Sequence, residues 1–189
     1  MEENYLIKSL TEDEQLIHVG KFHWMYTVHA VFQAIFGLAF AIAIIAFTLS
    51  FDPIIFGKIP DNWPLFDQIR ALHPGVKIIS FMVFILGILR FAQMMIAKVT
   101  TEIGISDIRL IYKRGLVARD VIEINTDRIE GVDIAQGILG RIFGYGQLIV
   151  RGMGIGAVAL PQIEQPIRFK KAIEKARKIC KEKGNARPV

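Results

Sequence analysis

Residues 24–51 contain 28 positions without one Asp, Glu, Lys or Arg, and residues 78–97 contain 20 more in which Arg90 alone carries charge. A helix rises about 1.5 Å per residue and needs roughly 20 apolar residues to cross a hydrocarbon core of about 30 Å, so each tract is long enough to span a bilayer. The first tract opens on Trp24 and Tyr26, aromatics suited to the headgroup level, and stops at Phe51-Asp52-Pro53, where charge and a helix breaker coincide. A secretory signal would begin with positive charge, whereas Glu2, Glu3, Glu12, Asp13 and Glu14 precede this tract. The pattern predicts a transmembrane hairpin over 24–97, with spans 24–51 and 78–97 and an extracytoplasmic loop 52–77. In the first span Gly37 and Ala41 lie four residues apart, a spacing that permits close helix approach.

Beyond residue 97 the period changes. Runs rich in Ile, Val, Leu and Tyr at 99–105, 108–114, 117–124, 129–134, 147–151 and 157–160 are separated by turn residues such as Ser106-Asp107, Asn125-Thr126-Asp127 and Gly152-Met153-Gly154. Short strands at this spacing predict a small β-sandwich or barrel. Pro166 then opens a helix on which Phe169, Ala172, Ile173, Ala176 and Ile179 form one apolar stripe, a cap for the strands. The expected organisation is a lead-in over 1–23, the hairpin over 24–97 and a β domain with its C-terminal helix over 98–189. Within the lead-in, Thr11 and Glu14 have capping-box spacing and predict a short helical turn before the strand-like stretch 16–19.

Charge gives these parts an orientation. Residues 1–23 carry 2 basic and 5 acidic side chains, the loop 52–77 carries 3 of each, and residues 98–189 carry 17 basic against 10 acidic. Lys21, Lys98, Arg109, Lys113 and Arg114 lie on one side of the hairpin, against Lys58, Arg70 and Lys77 on the other. The positive-inside rule therefore places both termini in the cytoplasm. Cys180, the one cysteine, has no intrachain partner and fits a reducing compartment. Arg90 costs about 2.5–3.5 kcal/mol at a span centre, while each of the Leu, Ile, Val and Phe residues around it returns roughly 0.3–0.6, so insertion still holds. It lies eight residues before Lys98, so its stem reaches towards that interface, as a snorkelling group or as a contact to a headgroup or partner helix.

Signatures of catalysis fail on physical grounds, and no enzyme, cofactor or metal site is expected. Gly152-Met153-Gly154-Ile155-Gly156 lacks the Gly-Lys-Ser/Thr ending of a phosphate loop and leads into a strand, so it reads as a hairpin turn. His18, His23, His29 and His73 do not fall at metal-ligand spacing, and Cys180 lies on the apolar stripe of the last helix without a nucleophile elbow. That helix also carries Arg168, Lys170, Lys171, Lys175, Arg177, Lys178, Lys181 and Lys183. The one aromatic among them, Phe169, belongs to the apolar stripe that closes the strands, so acidic lipid or an acidic protein fits this face and nucleic acid does not.

The stretch Thr101-Glu102-Ile103-Gly104-Ile105-Ser106, then Arg109-Leu110-Ile111, Gly115-Leu116, the run Gln136-Gly137-Ile138-Leu139-Gly140-Arg141-Ile142-Phe143-Gly144-Tyr145-Gly146, and Pro166 before Phe169 resemble the bacterial pleckstrin-homology-like (PH-like) membrane proteins described as YdbS-like. Glu14 with His23-Trp24 is similar to the lead-in such proteins carry. The resemblance implies a PH-type β-sandwich with a capping helix and no known catalysis. Domains of this type that bind phosphoinositides use basic residues on the first two strands and the intervening loop; here that loop is Ser106-Asp107, so phosphoinositide binding is not implied. Two readings follow. The first is an interaction or assembly module at the cytoplasmic face of a bacterial inner membrane, its partner another protein, a second copy or another PH-like family member. The alternative is a binder of anionic lipid headgroups, with Arg90, Lys98, Arg109, Lys113, Arg114 and Arg119 as the candidate contacts, each worth about 1 kcal/mol beside an anionic leaflet.

Overall fold

The computed structural model describes residues 5–12, 14–51, 63–116, 118, 120–154 and 156–185. In chain order the elements are α1 (Tyr5–Ser9), β1 (Leu16–Gly20), α2 (Trp24–Phe51), α3 (Leu65–Ala71), α4 (Pro74–Thr100), β2 (Glu102–Ser106), β3 (Arg109–Arg114), β4 (Asp120–Asn125), a 3-10 turn (Thr126–Arg128), β5 (Ile129–Ala135), α5 (Ile138–Phe143), β6 (Tyr145–Gly152), β7 (Gly156–Glu164) and α6 (Pro166–Asn185). They form two compact units, one of Thr27–Met95 and one that joins Met1–Tyr26 to Ile96–Val189.

In the helical unit α2 and α4 are each long and apolar enough to cross a membrane. Large side chains such as Phe32, Phe36, Phe81 and Leu86 are exposed along them, while the buried positions are small: Ala30, Ala41, Ser80 and Gly87. The close approach that the spacing at Gly37 permits is made within the chain, to Gly87 on the facing helix. A Cβ added at Gly37 would stand 2.7 Å from the Gly87 Cα, closer than any real Cβ contact. The second helix is longer than the expected span 78–97. Its start moves back to Pro74, where a missing N–H costs nothing, and the His73 Nδ1 accepts the Gly75 N–H at 3.1 Å. Its end moves on to Thr100, whose hydroxyl bonds the Ile96 carbonyl at 2.8 Å, so the β-branched pair Val99-Thr100, expected to open a strand, completes a helix instead. The expected loop 52–77 thus contains α3 and the first turn of α4; residues 52–62, with Lys58, lie outside the described residues.

The other unit is a β domain of two antiparallel sheets, β1-β2-β3-β4 and β5-β6-β7. Alternate residues of the strands point inward, and Ile103, Ile105, Leu110, Ile124, Leu148, Val150, Leu160 and Ile163 meet in one core. Residues Phe169, Ile173 and Ala176 of α6 close it, as the predicted stripe requires; Ile179 and Cys180 are half-buried. The lead-in, set apart by the hydropathy pattern, supplies the edge strand of the first sheet: β1 pairs with β2, Gly20 opposite Ile103. Beyond β1 the chain passes to the second sheet, where Phe22 bridges Ile163 of β7 and the Lys21 carbonyl accepts the Glu164 N–H at 2.8 Å. The expected helical turn after Thr11 is a tight turn closed by the Glu14 N–H on the Thr11 carbonyl, and the short helix α1 precedes it. From α1, fully buried Leu6 covers the outer face of β2 at Gly104.

Replacing Gly37 by Leu forces α2 and α4 apart. The expected cost is about 1–3 kcal/mol, read as an earlier loss of helical circular dichroism when the full chain in mild detergent is titrated with SDS. Ala43→Leu, on an exposed face of α2, leaves that titration unchanged.

Candidate functional site

The β2–β3 hairpin, where a headgroup reader would carry its charge, is occupied from within. Arg109 holds Glu14 through two bonds, Nε to Oε1 at 3.1 Å and Nη2 to Oε2 at 3.0 Å, and reaches Glu123 at 2.9 Å and the Ser9 carbonyl at 2.6 Å. Glu14 also accepts the Ser106 hydroxyl at 2.6 Å and the Thr11 N–H at 3.2 Å, and its side chain is only 1% exposed. Asp107 fixes the adjoining residue, accepting the Gln15 N–H at 2.9 Å. Burial alone would raise the Glu14 pKa, but the hydrogen bonds from Ser106, Thr11 and Arg109 and the charge of Arg109 outweigh it and hold the carboxyl below its ordinary value of 4.5. Burial likewise works against the Arg109 charge, and Glu14 and Glu123 overcome it, holding its pKa above the ordinary value.

The other candidates are similarly engaged or separate. Lys113 pairs with Glu102 at 2.9 Å and is largely buried, and Arg114 pairs with Asp120 at 2.7 Å. Lys98 lies in the last turn of α4. Arg90 is exposed on α4 in the helical unit. Arg119 lies outside the described residues.

A different surface carries exposed apolar residues. Within Leu139-Gly140-Arg141-Ile142-Phe143-Gly144-Tyr145-Gly146 the glycines shape the backbone: Gly144 ends α5 in the left-handed region (φ 75°), and a Cβ on Gly140 would stand 2.6 Å from the Tyr145 carbonyl oxygen. The apolar residues of α5 stay outside the core, with Ile138 81% and Ile142 69% exposed. The entry to α2 packs here, His23 stacking on Tyr145 with ring centres 5.1 Å apart and Trp24 meeting Phe143 edge-on at 5.8 Å. Beside α5 is a cleft of about 380 Å³ lined by Gln136, Arg141, Gly144 and the first residues of α6, Pro166 to Arg168. In the sequence this run stands out as a mark of family resemblance and not as a surface. Its helical spacing, Ile138-Leu139 then Ile142-Phe143, was the available signal for an exposed apolar turn.

Two sheets closed by a C-terminal helix, with the strand before the hairpin built into the first sheet, agree with the match of the chain to a family model. The model described as Bacterial PH domain matches residues 16–183, from the first residue of β1 into the last turns of α6. The chain belongs to the bacterial PH domain family. The match extends across the hairpin, so the lead-in strand, the helices and the β domain fall within one family unit. No curated protein and no solved structure matches the chain. PH-like domains are generally non-enzymatic binding modules, and among the described residues no group of three or more His, Cys, Asp or Glu is placed to hold a metal ion.

Glu14→Ala leaves Arg109 partly buried without its main partner. The β domain is expected to lose about 3 kcal/mol, the lower end for a broken buried pair, because Glu123 and Ser9 still hold the guanidinium. Since the folded Glu14 pKa lies below 4.5, its contribution is fully present above pH 4.5 and lost as pH falls through the folded value. Thermal unfolding of the full chain against pH checks both: wild type and Glu14→Gln differ at neutral pH and converge in acid.

Proposed function

We propose that this bacterial PH domain is a non-catalytic interaction and assembly module, anchored by α2 and α4 at the cytoplasmic face of the inner membrane. The observation that carries the choice is the internal pairing of Arg109, Lys113 and Arg114. Their charges are committed to Glu14, Glu123, Glu102 and Asp120, which leaves the β2–β3 hairpin poorly suited to capture a headgroup. Three features support the anchor: the length and apolar composition of the two helices, the exposure of their large side chains, and the pairing of β1 with β2. Because β1 precedes the first helix and β2 follows the second, both ends of the hairpin lie on one side, so the two helices cross together or not at all. The excess of Lys and Arg on that side favours the cytoplasm.

Two measurements test this. Protease added to sealed inverted vesicles is expected to digest the C-terminus, and protection there would reverse the topology. Cross-linking in native membranes is expected to yield a discrete higher-mass species that persists in Lys113→Ala/Arg114→Ala; a chain that stays monomeric at every cross-linker dose would end the assembly reading.

A further inference from the structure

We propose that α5 and the cleft beside it form an interfacial lipid site. The apolar side chains of α5 enter the acyl boundary of the leaflet, and Arg141 and Arg168 hold the phosphate of an anionic phospholipid. The inference rests on the membrane anchoring proposed above and places lipid contact away from the β2–β3 hairpin.

Four observations carry it. Ile138, Leu139, Ile142 and Phe143 are all exposed, a cluster of large apolar side chains on a helix of six residues. Gly140 lets one side of this turn lie close on the start of β6, where a Cβ would meet the Tyr145 carbonyl oxygen, and Gly144 ends it, so the four apolar side chains are left on the side away from the core. Trp24, the first residue of α2, touches Phe143, which ties α5 to the depth at which the first apolar tract begins. A Trp at the start of a span sits at headgroup level, with acyl chains immediately below.

Charge supplies the fourth. Arg151 is ion-paired with Asp133 on the neighbouring strand, and Arg109, Lys113 and Arg114 are paired as described. Among the described residues, Arg141 and Arg168 have no carboxylate within ion-pair distance, and both line the cleft next to exposed Ile167. Two unpaired guanidiniums flanked by apolar side chains match a phosphodiester with its acyl chains, since arginine binds phosphate oxygens bidentately. A soluble phosphate would use the arginines but leave the apolar turn in water.

The test uses the full chain in a Cys180→Ser background, with single cysteines at Ile142, at Ala43 in α2 and at Met153 on the β6–β7 turn, each labelled with an environment-sensitive fluorophore. The chains are reconstituted into vesicles of phosphatidylcholine with or without phosphatidylglycerol, containing lipids spin-labelled at a shallow acyl position. Quenching at Ile142 is expected with phosphatidylglycerol, together with quenching at Ala43 and none at Met153. The Ile142 signal is expected to fall at least threefold without the anionic lipid or in Arg141→Ala/Arg168→Ala. An unquenched Ala43 overturns the anchor itself. A quenched Ala43 beside an unquenched Ile142 leaves the anchor standing and overturns the lipid site, as does a blue-shifted but unquenched Ile142, which would report a protein partner. Equal quenching at Ile142 with and without phosphatidylglycerol overturns the phosphate contact.

Discussion

The fold depends on fastening the segment before the first apolar helix to the strands that follow the second. Glu14 and Arg109 make that fastening. Their bidentate pair, reinforced by the Ser106 hydroxyl and two backbone groups, lies where the lead-in enters the first sheet. From there β1 lies along β2, and Lys21 and Phe22 carry the same stretch onto β7. A few residues thus form an edge of one sheet and bridge to the other. The ion pair brings its own register: Asp107 holds Gln15 by one bond in each direction, so β1 has little freedom to slip against β2.

The same pairing explains how a domain with a basic surplus presents little free charge on its first sheet. Each basic residue there that the sequence marked as a contact and the structure describes has a carboxylate opposite or adjacent, and three of these carboxylates are on the strands themselves. Cross-strand opposite charges stabilise a sheet by tenths of a kcal/mol to about 1 each. For Arg109 and Lys113 the pairing also takes up a largely buried charge, whereas Arg114 and Asp120 pair at the exposed surface. Arg141 and Arg168, which have no carboxylate within ion-pair distance among the described residues, are instead at the α5–α6 cleft, beside exposed apolar side chains.

Local signals were legible in the sequence, and long-range ones were not. The apolar tracts, the alternating strands and the stripe Phe169, Ile173, Ala176 follow from composition and period within one element, and they appear where expected. The strand over 16–20 was visible as strand-like, but its partner lies beyond the whole hairpin and no local pattern names it. Helix ends were misplaced for a similar reason. Val99 and Thr100 favour strands in isolation, yet α4 already supplies their hydrogen-bond partners, and continuing a helix is easier than stopping one. Charge and position mark the candidate contacts, and charge alone does not reveal that Glu102 and Asp120 stand opposite Lys113 and Arg114 in the register, with Glu123 diagonal to Arg109.

The division of the β domain by the hairpin constrains what can be removed. A piece beginning at Lys98 would keep β2 to β7 and α6 but lose β1, Leu6 and Glu14. Its β2 edge would be unpaired, Gly104 uncovered, the ring of Phe169 stripped of its edge contact with His18, and Arg109 left partly buried. An exposed edge strand, and a partly buried cation left with Glu123 alone, each favour aggregation or unfolding over a soluble domain. The helices therefore act as the connection that brings β1 to β2, and their packing at Gly37 and Gly87 shortens the path the chain must close. The long helices and the β domain are thus one folding problem in this chain, because the first sheet is complete only when β1, before α2, reaches β2, after α4.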